Sequence, residues 1–217
     1  YISDLEGKIT KFNLTNNRTD GTGKQIKMYD STTLFKAGST QANGRYMYHS
    51  MDATIGQTTN SLWLYAGTGD YERIGNTSNG TQNLMIGIRD PNYPNYKNVS
   101  VPKKADDLTK CKNTTKDTTG AKCPTSTDTG WYITLDKAQK VTAEPTVSSG
   151  LVYFPIYQPT SSVNKCSLGD AFICGVDDEC GTNVSSQLNN LRKRDTCKYV
   201  GQGVLSKIVV FAGKLFA

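Results

Sequence analysis

Three turn-bounded apolar runs, each the length of a β-strand, most constrain what this chain can fold into: TTNSLWLYAGTGD at 58–70, SSGLVYFPIYQP at 148–159 and LSKIVVFAGKLF at 205–216. Runs this dense in aromatic and β-branched residues, closed by glycine or proline, read as strands buried on both faces. Residues 61–67, 150–157 and 207–213 are therefore expected to be inner or central strands. A second kind of run, strand-like and ending in a polar turn, recurs beside them as KITKFNLTNN at 8–17, LMIGIRDPN at 84–92 and FICGVDDECG at 172–181. Loose two-part β-repeats carrying long polar insertions point to an all-β chain of antiparallel propeller blades, an unadorned blade taking about 40–45 residues. About two and a half such repeats fit, whereas a propeller closes with about 4–8 blades. The expectation is a partial, incomplete β-propeller, with residues 1–217 forming part of one domain whose remaining blades come from a longer polypeptide or an assembly.

Tyr1 to Leu14 reads as a strand or hairpin in which Asp4 and Gly7 bracket a tight turn, and a second strand is expected through Ile26 to Tyr29. In RYMYHSMDATI the alternation of Tyr46, Tyr48 and Ser50 suggests a half-buried strand. Residues 91–129, with Pro91, Pro94 and Pro102 among many Thr, Asn and Lys, read as an inserted surface loop. Regular structure resumes at GWYITLD, and a second insertion spans about 160–200. Within it, 182–198 is a candidate short helix, with Ser185 as N-cap and Leu188 and Leu191 three apart.

Composition narrows the function classes. A hydrophobic content of 36% with Gly 20 and Tyr 12 fits a turn-rich β-protein, and no window approaches the ~20 apolar residues of a transmembrane helix. The formal charge of +6 and pI near 8.9 raise the question of nucleic acid. The basic residues are scattered, however, and the densest cluster, LRKRD at 191–195, has three consecutive cations, which fits a solvated loop better than a continuous basic face. Six cysteines, Cys111, Cys123, Cys166, Cys174, Cys180 and Cys197, all fall in the second half. An even count at loop positions favours disulfides and an oxidising compartment. With no CxxC and His49 as the only histidine, a zinc site is disfavoured. A Cys111–Cys123 bond would close a polar segment, and a Cys174–Cys180 bond across the GVDDE turn would leave Cys166 for Cys197. The last four cysteines allow three connectivities.

Catalytic constellations are scarce. A nucleophilic triad would need His49, which lies in a strand-like run without a nucleophile motif. Gly67 and Gly69 of AGTGD lead into polar turn residues rather than a helix N-terminus, so they read as turn glycines and not a phosphate cradle. Asp177, Asp178 and Glu179 in one turn are candidate oxygen ligands for calcium, which takes about 6–8; the alternative is a hairpin turn with solvated carboxylates. No catalytic residue is assigned.

The order DLEGKITKFNL, LWLYAGTGDY, GWYITLD, KVTAEPTVSSGLVYFPIYQP and KCSLGDAFICGVDDECGTN resembles the C-terminal β-propeller of the type IV pilus proteins called PilY or PilC, and the likeness covers nearly all of the chain. The resemblance implies export through the periplasm to the cell surface or pilus tip, and association with minor pilins. It also implies roles in pilus biogenesis, extension and retraction, and attachment to host or abiotic surfaces. Some members carry calcium in a propeller loop. The competing class is a quinoprotein-type propeller enzyme, since fold does not fix function; that family's adjacent cysteines are absent here.

Overall fold

The computed structural model describes residues 1–15, 18–19, 22–38, 44–77, 81–111, 129–136, 138–160, 168–181 and 197–217. The first strands, β1 (Ile2–Ser3) and β2 (Lys8–Phe12), form a hairpin. The amide of Gly7 donates to Asp4 O across its turn, and the Asp4 side chain accepts the amides of Glu6 and Lys8. A small hairpin of β3 (Arg18–Thr19) and β4 (Gln25–Ile26) follows, and then β5 (Ser31–Lys36) pairs with β2. The expected 26–29 strand thus ends at Ile26, and the longer strand begins at Ser31. The alternation at 46–50 likewise lies before the next strand, β6 (Asp52–Ile55).

From β6 the chain runs through β7 (Leu62–Gly67) and β8 (Leu84–Asp90). It then places β9 (Lys103–Lys104) parallel to β5, so the first sheet reads β1-β2-β5-β9. A 3₁₀ turn at Ala105–Asp107 leads to β10 (Thr109–Cys111), and β11 (Gly130–Thr134) completes a second sheet, β10-β11-β8-β7-β6. The 91–129 insertion is therefore not wholly loop, since its described part lends strands to two sheets. The third sheet contains β12 (Lys140–Val141), β13 (Thr146–Ser148), β14 (Leu151–Gln158), β15 (Asp170–Asp177) and β16 (Cys197–Gln202), with β12 and β13 both pairing with β14. Successive β6-β7-β8-β11 and β13-β14-β15-β16 pairings are antiparallel. These are blade-like meanders in an open array, an all-β partial propeller.

The near-continuous apolar runs follow from burial on both faces. Leu62, Leu64, Ile86 and Ile88 pack against Ile9 and Phe35 of the first sheet. Their alternates Trp63, Tyr65 and Met85, with Trp131 and Ile133, pack against Val152, Phe154, Ile156 and Val176 of the third. Strand periodicity sends neighbouring residues into opposite cores, so both sets must be apolar. Gly87 lies opposite Trp131, where a Cβ would stand 2.4 Å from the indole Cε2; no larger residue leaves room for the ring.

Two of the three expected central strands are found at β7 and β14. The third is corrected. Residues 207–213 contribute β17 (Val209–Phe211), which pairs solely with β18 (Lys214–Phe216) among the described residues. One side of this hairpin, with Val210 and Leu215, packs with Ile208 on Leu151, Tyr153 and Ile173 of the third sheet. Val209, Phe211 and Phe216 remain exposed. The 160–200 insertion is also interrupted, because Asp170–Asp177 is a central strand of the third sheet. The expected 182–198 helix lies outside the described residues except for its end, where Cys197 and Lys198 are extended in β16. The LRKRD cluster is outside them too.

Cys174 stands directly opposite Cys197 in the β15–β16 register, with Cα atoms 3.9 Å apart, and the two form a disulfide. This overturns the Cys174–Cys180 and Cys166–Cys197 pairing. Strand β15 continues three residues beyond Cys174, so that cysteine faces the neighbouring strand rather than its own turn. Cys180 is also disulfide-bonded. Cys123, Cys166 and the side chain of Cys111 lie outside the described residues.

Candidate binding cleft and the sequence-predicted positions

Strand alternation places Lys11 on the same side of β2 as Ile9, and its side chain is buried. A buried ammonium demands a countercharge, which Asp90 at the end of β8 supplies, with Nζ 2.6 Å from Oδ2 and both side chains less than a tenth exposed. The same ammonium donates to Asn95 O at 2.6 Å and lies 5.5 Å from the centroid of the Tyr1 ring. Tyr1 donates its hydroxyl to Asp90 Oδ2 at 2.6 Å, and burial followed by this carboxylate raises the phenol's pKa above its ordinary value. Asp90 Oδ1 accepts the amide of Asn92, starting the loop 91–97. One buried ion pair thus ties β2 to that loop.

Between them opens a cleft of about 710 Å³, within the ~300–1,000 Å³ of small-ligand sites. One wall comes from Phe12 to Thr15 and the β3–β4 hairpin, the other from Pro91 to Lys97. Asn13 shapes the first wall by donating to the carbonyls of Thr15 and Lys27 while accepting the Thr15 hydroxyl. Just beyond the second wall, the Val99 amide donates to Thr32 Oγ1 of β5 at 2.7 Å. None of these residues stood out as a site in the sequence. The available signal was a lysine at an inward position of an alternating strand, together with the aspartate before Pro91.

The sequence-predicted acids go elsewhere. Asp177 Oδ1 accepts the amides of Glu179 and Cys180, while the Glu179 carboxylate accepts those of Thr58 and Thr59 at 2.7 and 2.8 Å. The Asp178 carbonyl accepts the Trp131 indole N–H. The Asp177 and Glu179 carboxylates are held by separate partners, and among the described residues no group of three or more His, Cys, Asp or Glu could hold a metal ion. His49 is half-buried and packs edge-on to Tyr71, with ring centroids 5.3 Å apart, and burial lowers its pKa despite the opposing pull of Glu144. Gly67 and Gly69 allow close packing against Val141 and Lys140.

These acids give the turn a pH signature. Burial pushes the Glu179 carboxyl up, but hydrogen bonds from Thr58 and Thr59 outweigh it and hold the group below its ordinary value. Asp178 is raised by burial and by its neighbours Asp177 and Glu179. Because Glu179 is depressed in the folded state, its stabilisation is fully present above its unfolded pKa of about 4.3 and is lost as the pH falls through the folded value. Glu179→Gln is therefore expected to narrow its stability deficit against the parent as pH drops from about 6 to 3. Thermal midpoints measured across that range check it, and parallel curves would contradict it.

The arrangement defines a class, an all-β array of propeller-like blades with a loop-walled cleft on its first sheet. No protein-family model and no curated protein matches the chain. Among solved structures it is similar to the crystal structure of the Pseudomonas aeruginosa PilY1 C-terminal domain, with a TM-score of 0.59 and 12% sequence identity over 84% of this chain. At that identity the likeness is one of fold. The chain spans 44% of that domain's length. Among the described residues no helix is long and apolar enough to cross a membrane.

Proposed function

We propose that this chain is part of a non-enzymatic, surface-exposed module of a type IV pilus system, acting in pilus assembly and attachment. The observation that carries the reading is the fold likeness to the PilY1 C-terminal domain across 84% of the chain. The order of sequence segments and the Cys174–Cys197 disulfide, which suits an oxidising compartment, add support. Its partners on this reading are minor pilins or a pilus-tip complex, a host or abiotic surface, and further blades of its own propeller. Binding is favoured over quinoprotein-type turnover because Trp63 and Trp131 are both fully buried in the inter-sheet core, where neither offers a ring for cofactor stacking.

The test is deletion of the encoding gene followed by complementation in trans, with counts of surface pili, twitching motility and attachment. The expected result is loss of piliation or attachment, restored by the complementing copy. Unchanged piliation, twitching and attachment after deletion would contradict the proposal.

A further inference from the structure

We propose that the cleft between β2, the β3–β4 hairpin and the loop 91–97 binds an acidic saccharide, a sugar chain bearing carboxylates. The inference rests on the cleft itself and not on the pilus reading. Lys11, at the base, is neutralised by Asp90, whereas Arg18 and Lys97 also line the cleft and neither makes an ion pair among the described residues. Among the described lining residues none has an acidic side chain. Among the described residues Arg18 and Lys97 are thus two cations of the cleft without an ion-pair partner, and an arginine fork is suited to a carboxylate.

Between the cations the lining is of mixed character. Phe12, Tyr93 and Tyr96 supply rings, which pack against the C–H faces of a pyranose, while Thr19, Asn92 and Asn95 supply hydroxyl and amide groups for its hydroxyls. Apolar surface with a few convergent polar groups is the general form of a small-ligand site. Tyr93 is half exposed, so its ring is accessible. A single-stranded nucleic acid would also use cations and rings, but it calls for a basic groove that tracks a backbone, and two cations do not make one.

The experiment titrates the whole chain by calorimetry with trigalacturonate, its fully methyl-esterified form, tetraglutamate and an octathymidylate at one fixed ionic strength. Saturable binding of trigalacturonate is expected, with the ester, the peptide and the oligonucleotide each weaker by about tenfold or more, since one charge-assisted hydrogen bond accounts for a factor of that order. Arg18→Ala and Lys97→Gln are each expected to weaken trigalacturonate by about tenfold on the same basis. Both positions are exposed, so thermal midpoints should stay at the parent value. Absence of saturable trigalacturonate binding overturns the proposal, as does equal or tighter binding of any of the other three probes, or unchanged binding by both variants.

Discussion

Trp131→Ala is expected to cost the fold about 3–5 kcal/mol, the range for truncating a buried aromatic and a large share of the ~5–15 kcal/mol by which folded domains are stable. Trp131 is fully buried between the second and third sheets, 6.3 Å from the Tyr65 ring and 6.4 Å, edge-on, from Phe154. Its indole N–H satisfies the Asp178 carbonyl at 2.9 Å. Glycines at 87 and 181 leave it space, since a Cβ at either would come within 2.5 Å of the ring. Surroundings shaped this closely around an indole cannot collapse onto alanine. Trp131→Phe keeps part of the ring but strands the carbonyl, and is expected to cost less, about 1–3 kcal/mol. Equilibrium denaturation of both variants checks the pair; a loss below about 1 kcal/mol for the alanine variant would contradict the inter-sheet placement.

That core was largely legible in the sequence, because LWLYAG and LVYFPIYQ are apolar at both strand phases and only a strand sandwiched between two sheets needs that. The same reasoning failed at IVVF. Apolar composition marks a tendency to be covered, but it does not identify what covers a segment, and Val209 and Phe211 stay exposed on a hairpin that packs only its Val210 and Leu215 side onto the third sheet. Pairings distant in sequence were the least legible. Cys174 and Cys197 meet because β15 extends past its cysteine and the chain returns in β16, a register that cysteine spacing does not encode. The acids at 177–179 suggested a metal because three carboxylates share one turn, yet Glu179 is drawn away by the amides of Thr58 and Thr59, about 120 residues earlier in the chain. The cleft went unseen for the same reason, since Lys11 and Asp90 lie 79 residues apart.

Lys11→Met is expected to destabilise by about 3–5 kcal/mol, the cost of leaving one partner of a buried ion pair uncompensated. Asp90, 1% exposed, would retain the Tyr1 hydroxyl and the Asn92 amide but lose its countercharge, and Asn95 O would lose its donor. Pairing Lys11→Met with Asp90→Asn removes both charges together. The double variant is therefore expected to be more stable than Lys11→Met alone, because an uncharged pair no longer pays the desolvation of an isolated carboxylate. Denaturation measurements on the full cycle decide it, and strictly additive losses would mean that the two groups do not depend on one another.

The role proposed above, at the cell surface with type IV pili, is tested most directly by fractionation. Pili sheared from intact cells and probed for this chain should carry it, and the signal should vanish from the sheared fraction of a strain lacking the major pilin. Finding the chain confined to the cytoplasm, or equally abundant in the sheared fraction without pilin, would contradict the account.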